Sequence, residues 1–175
     1  GEPLDAGGRV PYLERFIHAA IYEQRPEVSA VCHNHTLSIL PFSISTSVRL
    51  QPVIHTGSVL GGDVPVWNIA DEFGANTNLL VVNMQQGRSL ARTLGDRRVA
   101  LMRGHGSVVV GGDIPAVVSA CMSMDKNARV QLMALQLGQY TPLAAGEINR
   151  PTLAPGQVLP DRAWEAYVRR VTDPA

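Results

Sequence analysis

Three histidines of this chain have the spacing of a metal chelate. His33 and His35 lie two residues apart, and His105 lies between two glycines in the run Arg103-Gly104-His105-Gly106. Side chains two residues apart in a β-strand point to the same face, so His33 and His35 can bind one metal ion together. Three neutral imidazoles on a divalent ion leave a position open for substrate, which is typical of a catalytic rather than a structural site. The pattern therefore predicts a catalytic divalent-metal site.

The alternative is that these histidines are ordinary core residues. A histidine in an apolar strand is more often hydrogen-bonded in the core than bound to a metal, so the His-x-His pair alone is weak evidence. The glycines beside His105 favour the metal interpretation, because glycine lets the backbone turn sharply and bring an imidazole close to an ion. Cys32 is not predicted as a ligand, since strand alternation points it away from the face of His33.

The charges of the chain exclude some classes of partner. Fifteen basic and fifteen acidic residues cancel without any run of like charge, so we expect a small-molecule substrate rather than a nucleic acid or a membrane. Cys32 and Cys121 lie far apart in apolar stretches, which is typical of reduced thiols in a cytoplasmic protein. The chain shows neither a long apolar run nor a basic-then-apolar leader, and this also predicts a cytoplasmic location.

The length of 175 residues predicts one well-buried domain. We expect a metal-binding domain over residues 1–138. The chain opens at Gly1 without an initiator Met, so we also expect that part of this domain lies upstream. The composition turns rich in Pro, Gly and Ala after Gly138, which predicts a C-terminal arm over residues 139–175 with a short helix at Asp161–Val171.

Apolar periodicity predicts the elements that position the histidines. A helix from Pro11 to Arg25 carries Glu14 on the turn that faces His33, and a buried strand covers Val28–His33. The helix at 85–94 ends at Gly95, and Asp113 begins a long helix. Frequent turns between 99 and 110 indicate antiparallel pairing. Further helices are predicted at 37–45 and 113–137, and further strands at 52–55, 64–67, 79–83, 99–103 and 107–110.

Glu14 has two interpretations. A carboxylate near a metal ion can be a fourth ligand or, when substrate displaces it, a general acid or base. From spacing alone, the simpler interpretation is a solvated helix residue that pairs with His18 or Arg15.

Four motifs resemble, in order and spacing, the class II aldolase/adducin family across about residues 11–137. The motifs are Glu14-x-x-x-His18, Arg25-Pro26-Glu27-Val28, His33-Asn34-His35 and Arg103-Gly104-His105-Gly106. The resemblance implies an α/β fold, a three-layer α/β/α sandwich with a mainly antiparallel central sheet. It also implies a homotetramer with active sites between subunits.

The resemblance also assigns roles. It implies that His33, His35 and His105 bind one divalent metal ion, Zn or Mn, and that Glu14 is the acid/base residue or a displaceable ligand. His18 is implied to be structural. Sugar-phosphate aldolases of the family hold the substrate phosphate with an upstream loop rich in Gly, Ser and Asn, and that loop has no counterpart in this chain.

Other segments look more similar to the branch of the family that decarboxylates hydroxylated aromatic acids, including pyridine-dicarboxylate and dihydroxyphthalate decarboxylases. We therefore expect a metal-dependent carbon–carbon lyase, a decarboxylase ahead of an aldolase. The segments are Ile39-Leu40-Pro41-Phe42-Ser43, Leu101-Met102-Arg103-Gly104-His105-Gly106, Asn127-Ala128-Arg129 and Gly146-Glu147.

Three residues are candidates for substrate binding. Arg103 and Arg129 can each hold a second carboxylate, because a guanidinium matches a carboxylate bidentately, although an ordinary salt bridge is the simpler interpretation of each. His55 lies in a turn-flanked segment and can orient a substrate hydroxyl or serve the structure. Two other classes compete with the lyase: a non-haem iron oxygenase, against which the third histidine argues, and a non-catalytic adducin-like interaction module.

Overall fold

A four-stranded mixed sheet lies between two layers of helices in the computed structural model, which describes residues 1–148 and 162–173. The strand order is β1-β4-β3-β2, with β1 and β3 antiparallel to β4 and only β2 and β3 parallel. The predicted α/β fold with a mainly antiparallel sheet is therefore confirmed. The strands are β1 Ala30–Asn34, β2 Val66–Trp67, β3 Val99–Met102 and β4 Gly106–Gly111.

Each face of the sheet has its own apolar core, which is what a three-layer sandwich requires. On one face α1 and α4 pack against strand residues such as Val108 and Met102. On the other face α5, α2 and a 3₁₀-helix pack against Leu101 and Val109. The helices are α1 Arg15–Gln24, α2 Leu40–Ile44, α3 Ala70–Phe73, α4 Met84–Leu94, α5 Ile114–Leu137, α6 Ala145–Ile148 and α7 Arg162–Thr172, and the 3₁₀-helix is His55–Leu60.

The helices predicted at 85–94 and 113–137 are confirmed together with their end signals. The side chain of Asp113 accepts a hydrogen bond from the Ala116 N–H (2.7 Å) at the start of α5. Gly95 ends α4 with a φ of +57°. These signals are local, so the sequence predicts them well.

The predicted start of the first helix was wrong. Residues 11–14 are not helical, and α1 begins at Arg15. Tyr12 and Leu13 are exposed, so the apolar stripe of α1 starts only at Phe16. Glu14 therefore lies in the turn that leads into the helix, where its side chain can reach a neighbouring loop.

Two predicted strands were also wrong, for a common reason. The N–H groups of Val53 and Ile54 donate to the buried Asn127 side chain instead of to a neighbouring strand, and the chain then enters the 3₁₀-helix at His55. Residues 79–83 are irregular, and the N–H groups of 79–82 all donate to side-chain oxygens. Apolar composition alone does not distinguish such loops from strands.

Cys32 and Cys121 come together in the fold, although they are far apart in the sequence. Both are free, and the Asn34 amide lies 3.9 Å from Cys32 Sγ and 3.6 Å from Cys121 Sγ. The division into a domain and an arm at residue 138 stays a prediction. Part of that arm, including Asp161, lies outside the described residues. Within 1–148 and 162–173, none of the helices combines the length and apolarity that a membrane crossing demands.

Candidate metal centre

A tight hairpin positions His105. β3 and β4 pair as far as Met102 and Gly106, so Arg103, Gly104 and His105 form the connecting turn. The turn is closed by a hydrogen bond from the His105 N–H to the Met102 carbonyl (3.0 Å), and Gly104 takes a φ of +65° within it. Glycine adopts this left-handed conformation at little cost, so the sequence dictates the turn.

The pairing of β1 with β4 brings the other two histidines to the same end of the sheet. His33 lies opposite Val108, and Asn34 lies opposite Ser107, which is two residues after His105. His33 and His105 approach with their ring centroids 4.9 Å apart, and His35 and His105 do the same. The strand periodicity and the hairpin together therefore assemble three imidazoles from two distant segments.

Glu14 joins the imidazoles from a third segment. It is 3% exposed, and its Oε1 atom accepts a hydrogen bond from the Val81 N–H (3.1 Å). The other carboxylate oxygen, Oε2, faces the Nε2 atoms of His33 (3.3 Å) and His105 (3.6 Å). The interpretation of Glu14 as a solvated helix residue is therefore wrong.

The four side chains Glu14, His33, His35 and His105, called the His/Glu cluster below, have the dimensions of a metal site. One ligand atom from each lies within 4.8 Å of all the others, and the Nε2 atoms of His33 and His35 are 3.0 Å apart. Tetrahedral coordination with zinc–ligand distances near 2.0–2.1 Å places ligand atoms about 3.3 Å apart. The donor set and its separations therefore fit one divalent ion.

Backbone carbonyls orient two of the imidazoles. The Nδ1 atom of His33 lies 3.0 Å from the Ser107 carbonyl oxygen, and that of His105 lies 3.0 Å from the Leu79 carbonyl oxygen. A carbonyl can only accept, so each Nδ1 carries the proton and each Nε2 is left with a free lone pair. Such outer partners of ligating histidines fix the tautomer that binds a metal.

Burial favours the neutral form of His33. It lowers the pKa of His33, although the Ser107 carbonyl and the Glu14 carboxylate act in the opposite direction. Burial also lowers the pKa of His18 on α1, again against the effect of Glu14. Both groups therefore resist protonation in the folded protein, and a neutral imidazole is the form that binds metals.

The same pKa shifts predict acid sensitivity of the metal-free protein. Below about pH 6.5, the ordinary pKa of histidine, the unfolded chain binds more protons than the folded chain, so the free energy of unfolding falls as the pH falls. Urea denaturation in a chelator at about pH 7.5 and pH 5.5 measures this fall. In His18→Gln the fall is expected to be smaller, because one of the two groups is gone. Equal stability at both pH values would contradict the prediction.

Gly106 lies where the two histidine segments approach most closely. A Cβ atom at Gly106 would overlap the Asn34 carbonyl oxygen and lie 2.8 Å from His35 Cδ2. We expect Gly106→Ala to displace the His35 ring, to weaken Zn²⁺ binding at least about tenfold and to destabilise the fold by about 1–3 kcal/mol. Chelator competition and urea denaturation measure the two effects. Gly112→Ala is the matched control, because its Cβ would meet nothing within 4 Å. Unchanged Zn²⁺ affinity in Gly106→Ala would refute the packing argument.

The three residues predicted to bind substrate lie outside the His/Glu cluster. Arg103 is exposed, and its Nε donates to the Asn68 side chain (2.6 Å). Arg129 forms an exposed salt bridge with Asp125 (3.0 Å), which is the simpler of the two interpretations given for it. His55 is exposed at the start of the 3₁₀-helix. Their assignment to substrate binding stays a prediction.

Three residues that contact the cluster were not identified from the sequence. The exposed Tyr12 donates its hydroxyl hydrogen to Glu14 Oε2 (3.4 Å). Leu79 and Val81 contribute a carbonyl oxygen and an N–H group, respectively. Tyr12 precedes Glu14 by two residues, and this proximity was an available signal. The Leu79 carbonyl and the Val81 N–H could not be found in this way, because every residue has a carbonyl and nearly every residue has an N–H.

Comparison with known proteins gives the same family as the motifs. The family described as "Class II Aldolase and Adducin N-terminal domain" matches residues 1–132. The chain is 32% identical to the decarboxylase tropJ of Talaromyces stipitatus, over 97% of this chain and 71% of that protein. It is 27% identical to a 3,4-dihydroxyphthalate decarboxylase of a Terrabacter species, over 89% of this chain and 64% of that protein.

The fold is also found among solved structures. An aldolase II superfamily protein from Pseudomonas syringae superposes with a TM-score of 0.71 at 20% identity, over 95% of this chain and 64% of that one. At this identity the likeness shows the fold alone. The chain thus spans about two thirds of the length of these relatives.

Proposed function

This chain belongs to the class II aldolase and adducin family, and from that premise we propose that it is a metal-dependent carbon–carbon lyase that decarboxylates a hydroxylated aromatic carboxylic acid. The observation that carries the proposal is the His/Glu cluster, in which three imidazole nitrogens and one carboxylate converge. The names of the two decarboxylase relatives support the choice of reaction.

We propose one Zn or Mn ion per chain, held by His33, His35 and His105. When bound, a divalent ion supplies Lewis-acid stabilisation of the negative charge that develops on an oxygen near the reacting carbon. Imidazole ligands suit zinc, and the exposed side of His35 leaves the cluster open to a small molecule.

Glu14 is proposed to move the proton. In a decarboxylation, the bond between the ring carbon and the carboxylate breaks, its electron pair stays on the ring, carbon dioxide leaves, and a proton must reach the same ring carbon. Glu14 is buried beside the imidazoles, and the Tyr12 hydroxyl connects its Oε2 to the exposed surface. A carboxyl group in this position can deliver the proton and regain one from solvent.

Substrate recognition is proposed to involve the exposed residues predicted from the sequence. Arg129 is the stronger candidate of the two arginines, because its partner Asp125 also accepts a hydrogen bond from Ser38 (2.7 Å), three residues beyond His35. A substrate carboxylate would have to replace Asp125 as its partner. Arg103 and His55 would bind a second carboxylate and a ring hydroxyl.

The proposal includes the setting in which the reaction takes place. We propose a cytoplasmic homotetramer whose active sites lie between subunits, acting on a small molecule rather than on a nucleic acid or a membrane. The exposed position of His35 supports a site that a neighbouring subunit helps to enclose. Residues 1–138 are proposed to form the catalytic domain, and 139–175 an arm.

Elemental analysis of protein purified without added metal, followed by carbon dioxide release, tests the proposal. We expect about one Zn or Mn per chain, and release of carbon dioxide from one or more members of a panel of hydroxybenzoates and 3,4-dihydroxyphthalate. Aldehyde release from hydroxy-carbonyl sugar phosphates, without decarboxylation, would instead assign an aldolase. Iron with oxygen consumption would assign an oxygenase. A chain that takes up no metal would be an interaction module.

A further inference from the structure

Leu79 is the only non-glycine residue with a positive φ (+66°) among residues 1–148 and 162–173. A leucine rarely takes this conformation, because its Cβ atom crowds the backbone there. Residues held in such a conformation concentrate at functional sites, where the surrounding contacts impose it. The conformation of Leu79 therefore calls for a local cause.

The backbone around Leu79 contacts two residues of the His/Glu cluster, and these contacts are the local cause. The carbonyl of Leu79 accepts from His105 Nδ1 (3.0 Å), and the N–H of Val81, two residues later, donates to Glu14 Oε1 (3.1 Å). One short segment thus contacts two members of the His/Glu cluster through its backbone, with an acceptor for the imidazole and a donor for the carboxylate. The left-handed conformation of Leu79 acts on the first of these groups: it sets the peptide plane that carries the Leu79 carbonyl relative to the preceding plane, whose N–H donates to Thr77 Oγ1 (3.3 Å).

Side chains fix the segment in this shape. The N–H of Leu79 donates to Thr77 Oγ1 (3.3 Å), and that of Leu80 donates to Asn78 Oδ1 (3.1 Å). Val81 is fully buried against the core beneath α1 and α4, and the N–H of Val82 donates to the Gln86 side chain (2.8 Å). Each N–H from 79 to 82 therefore has a partner outside the segment's own backbone.

We propose that Leu79 and Val81 are positioning residues: the Leu79 carbonyl, directed by the left-handed conformation of that residue, holds His105 as the Nδ1–H tautomer, and the Val81 N–H aims Glu14 Oε2 at the imidazoles. This inference rests on the proposed metal site. It adds two backbone groups, the Leu79 carbonyl and the Val81 N–H, to the side chains that form the site. Outer partners of this kind typically change metal affinity 10–100-fold when they are lost.

Substitutions at Leu79 separate this role from ordinary packing. Gly and Asn accept a positive φ but lose the apolar side chain, whereas Val and Ile keep an apolar side chain but disfavour a positive φ. We expect Leu79→Gly and Leu79→Asn to bind Zn²⁺ within about threefold of the unsubstituted protein, and Leu79→Val and Leu79→Ile at least about tenfold more weakly. Competition with a chelator measures the affinities. The opposite order, or equal affinity in all four variants, overturns the proposal.

A second measurement does not depend on metal uptake. Ring ¹⁵N NMR of His105 in the metal-free protein is expected to show a protonated Nδ1 in the unsubstituted protein and in Leu79→Gly, and loss of that preference in Leu79→Val. The same tautomer in all three overturns the inference. If the unsubstituted protein binds no Zn²⁺, the proposed function fails, and the tautomer still decides the role of Leu79.

A third variant covers the case in which the branched substitutions do not fold. Thr77→Ala removes the hydroxyl that accepts from the Leu79 N–H, together with one methyl group. We expect a weaker Zn²⁺ affinity and a less uniform His105 tautomer in this variant, while the far-UV circular dichroism stays unchanged. A Thr77→Ala protein with full affinity and a single tautomer would overturn the proposal on its own.

Discussion

His33→Ala is expected to lower the affinity for Zn²⁺ and Mn²⁺ at least about 100-fold, beyond the usual cost of losing an outer partner, and to abolish turnover. His33 occupies the centre of the His/Glu cluster: its Nε2 lies 3.0 Å from that of His35 and 3.3 Å from Glu14 Oε2. Its loss leaves His35 without its strand neighbour and Glu14 without its shortest imidazole contact. Elemental analysis and chelator competition measure the loss of affinity.

His55→Ala is the matched control for this experiment. It removes an imidazole of the same size from an exposed position outside the cluster, so we expect the metal content to stay at that of the unsubstituted protein. Far-UV circular dichroism separates loss of metal from loss of fold. If His33→Ala still carries one tightly bound ion per chain, the ion is held elsewhere and the assignment of the cluster is wrong.

The three histidines were predictable because local rules place them. His33 lies near the end of β1 and His35 follows the last residue of that strand, and Gly104 and Gly106 lie on either side of His105 at the hairpin turn. Only the pairing of β1 with β4 joins segments that are distant in the sequence, and both strands can be recognised as apolar runs. The same reasoning explains why Asp113 and Gly95 marked helix ends correctly.

The surroundings of the cluster could not be predicted in the same way. The burial of Glu14 depends on a hydrogen bond from Val81, 67 residues away, and periodicity carries no information about that contact. Residues 79–83 look like a strand in composition, but their N–H groups donate to side chains, so no neighbouring strand forms. The strand predicted at 52–55 is absent for the same reason, since the N–H groups of Val53 and Ile54 donate to the Asn127 side chain of α5.

Both errors occur at loops that side chains hold in place. A local apolar pattern predicts burial correctly there, as at the fully buried Val81, but it does not say where the backbone hydrogen bonds go. The loops that support a site are therefore the part of this fold that depends most on tertiary contacts. The family resemblance supplied the role of Glu14 but not the groups that hold it.

Glu14→Gln is expected to lower kcat by about 10²–10⁴-fold, the usual contribution of a general acid or base. Glutamine has nearly the same shape, and its carbonyl oxygen can still accept from the Val81 N–H. The amide can neither deliver nor regain a proton as a carboxyl group does. Because the three imidazoles are unchanged, we expect the variant to keep about one metal ion per chain. Steady-state kinetics and elemental analysis on the same preparation measure both quantities.

Two results would separate the possible roles of Glu14. A variant that loses its metal together with its activity would make the carboxylate chiefly a ligand, because its Oε2 lies beside the Nε2 atoms of His33 and His105. A variant with full turnover would remove Glu14 from the chemistry altogether. Glu27→Gln is the control, since that carboxylate is exposed, is paired with Arg25 (2.7 Å) and does not belong to the His/Glu cluster. Retained metal with slow turnover in Glu14→Gln, and neither effect in Glu27→Gln, would support Glu14 as the group that protonates the substrate carbon.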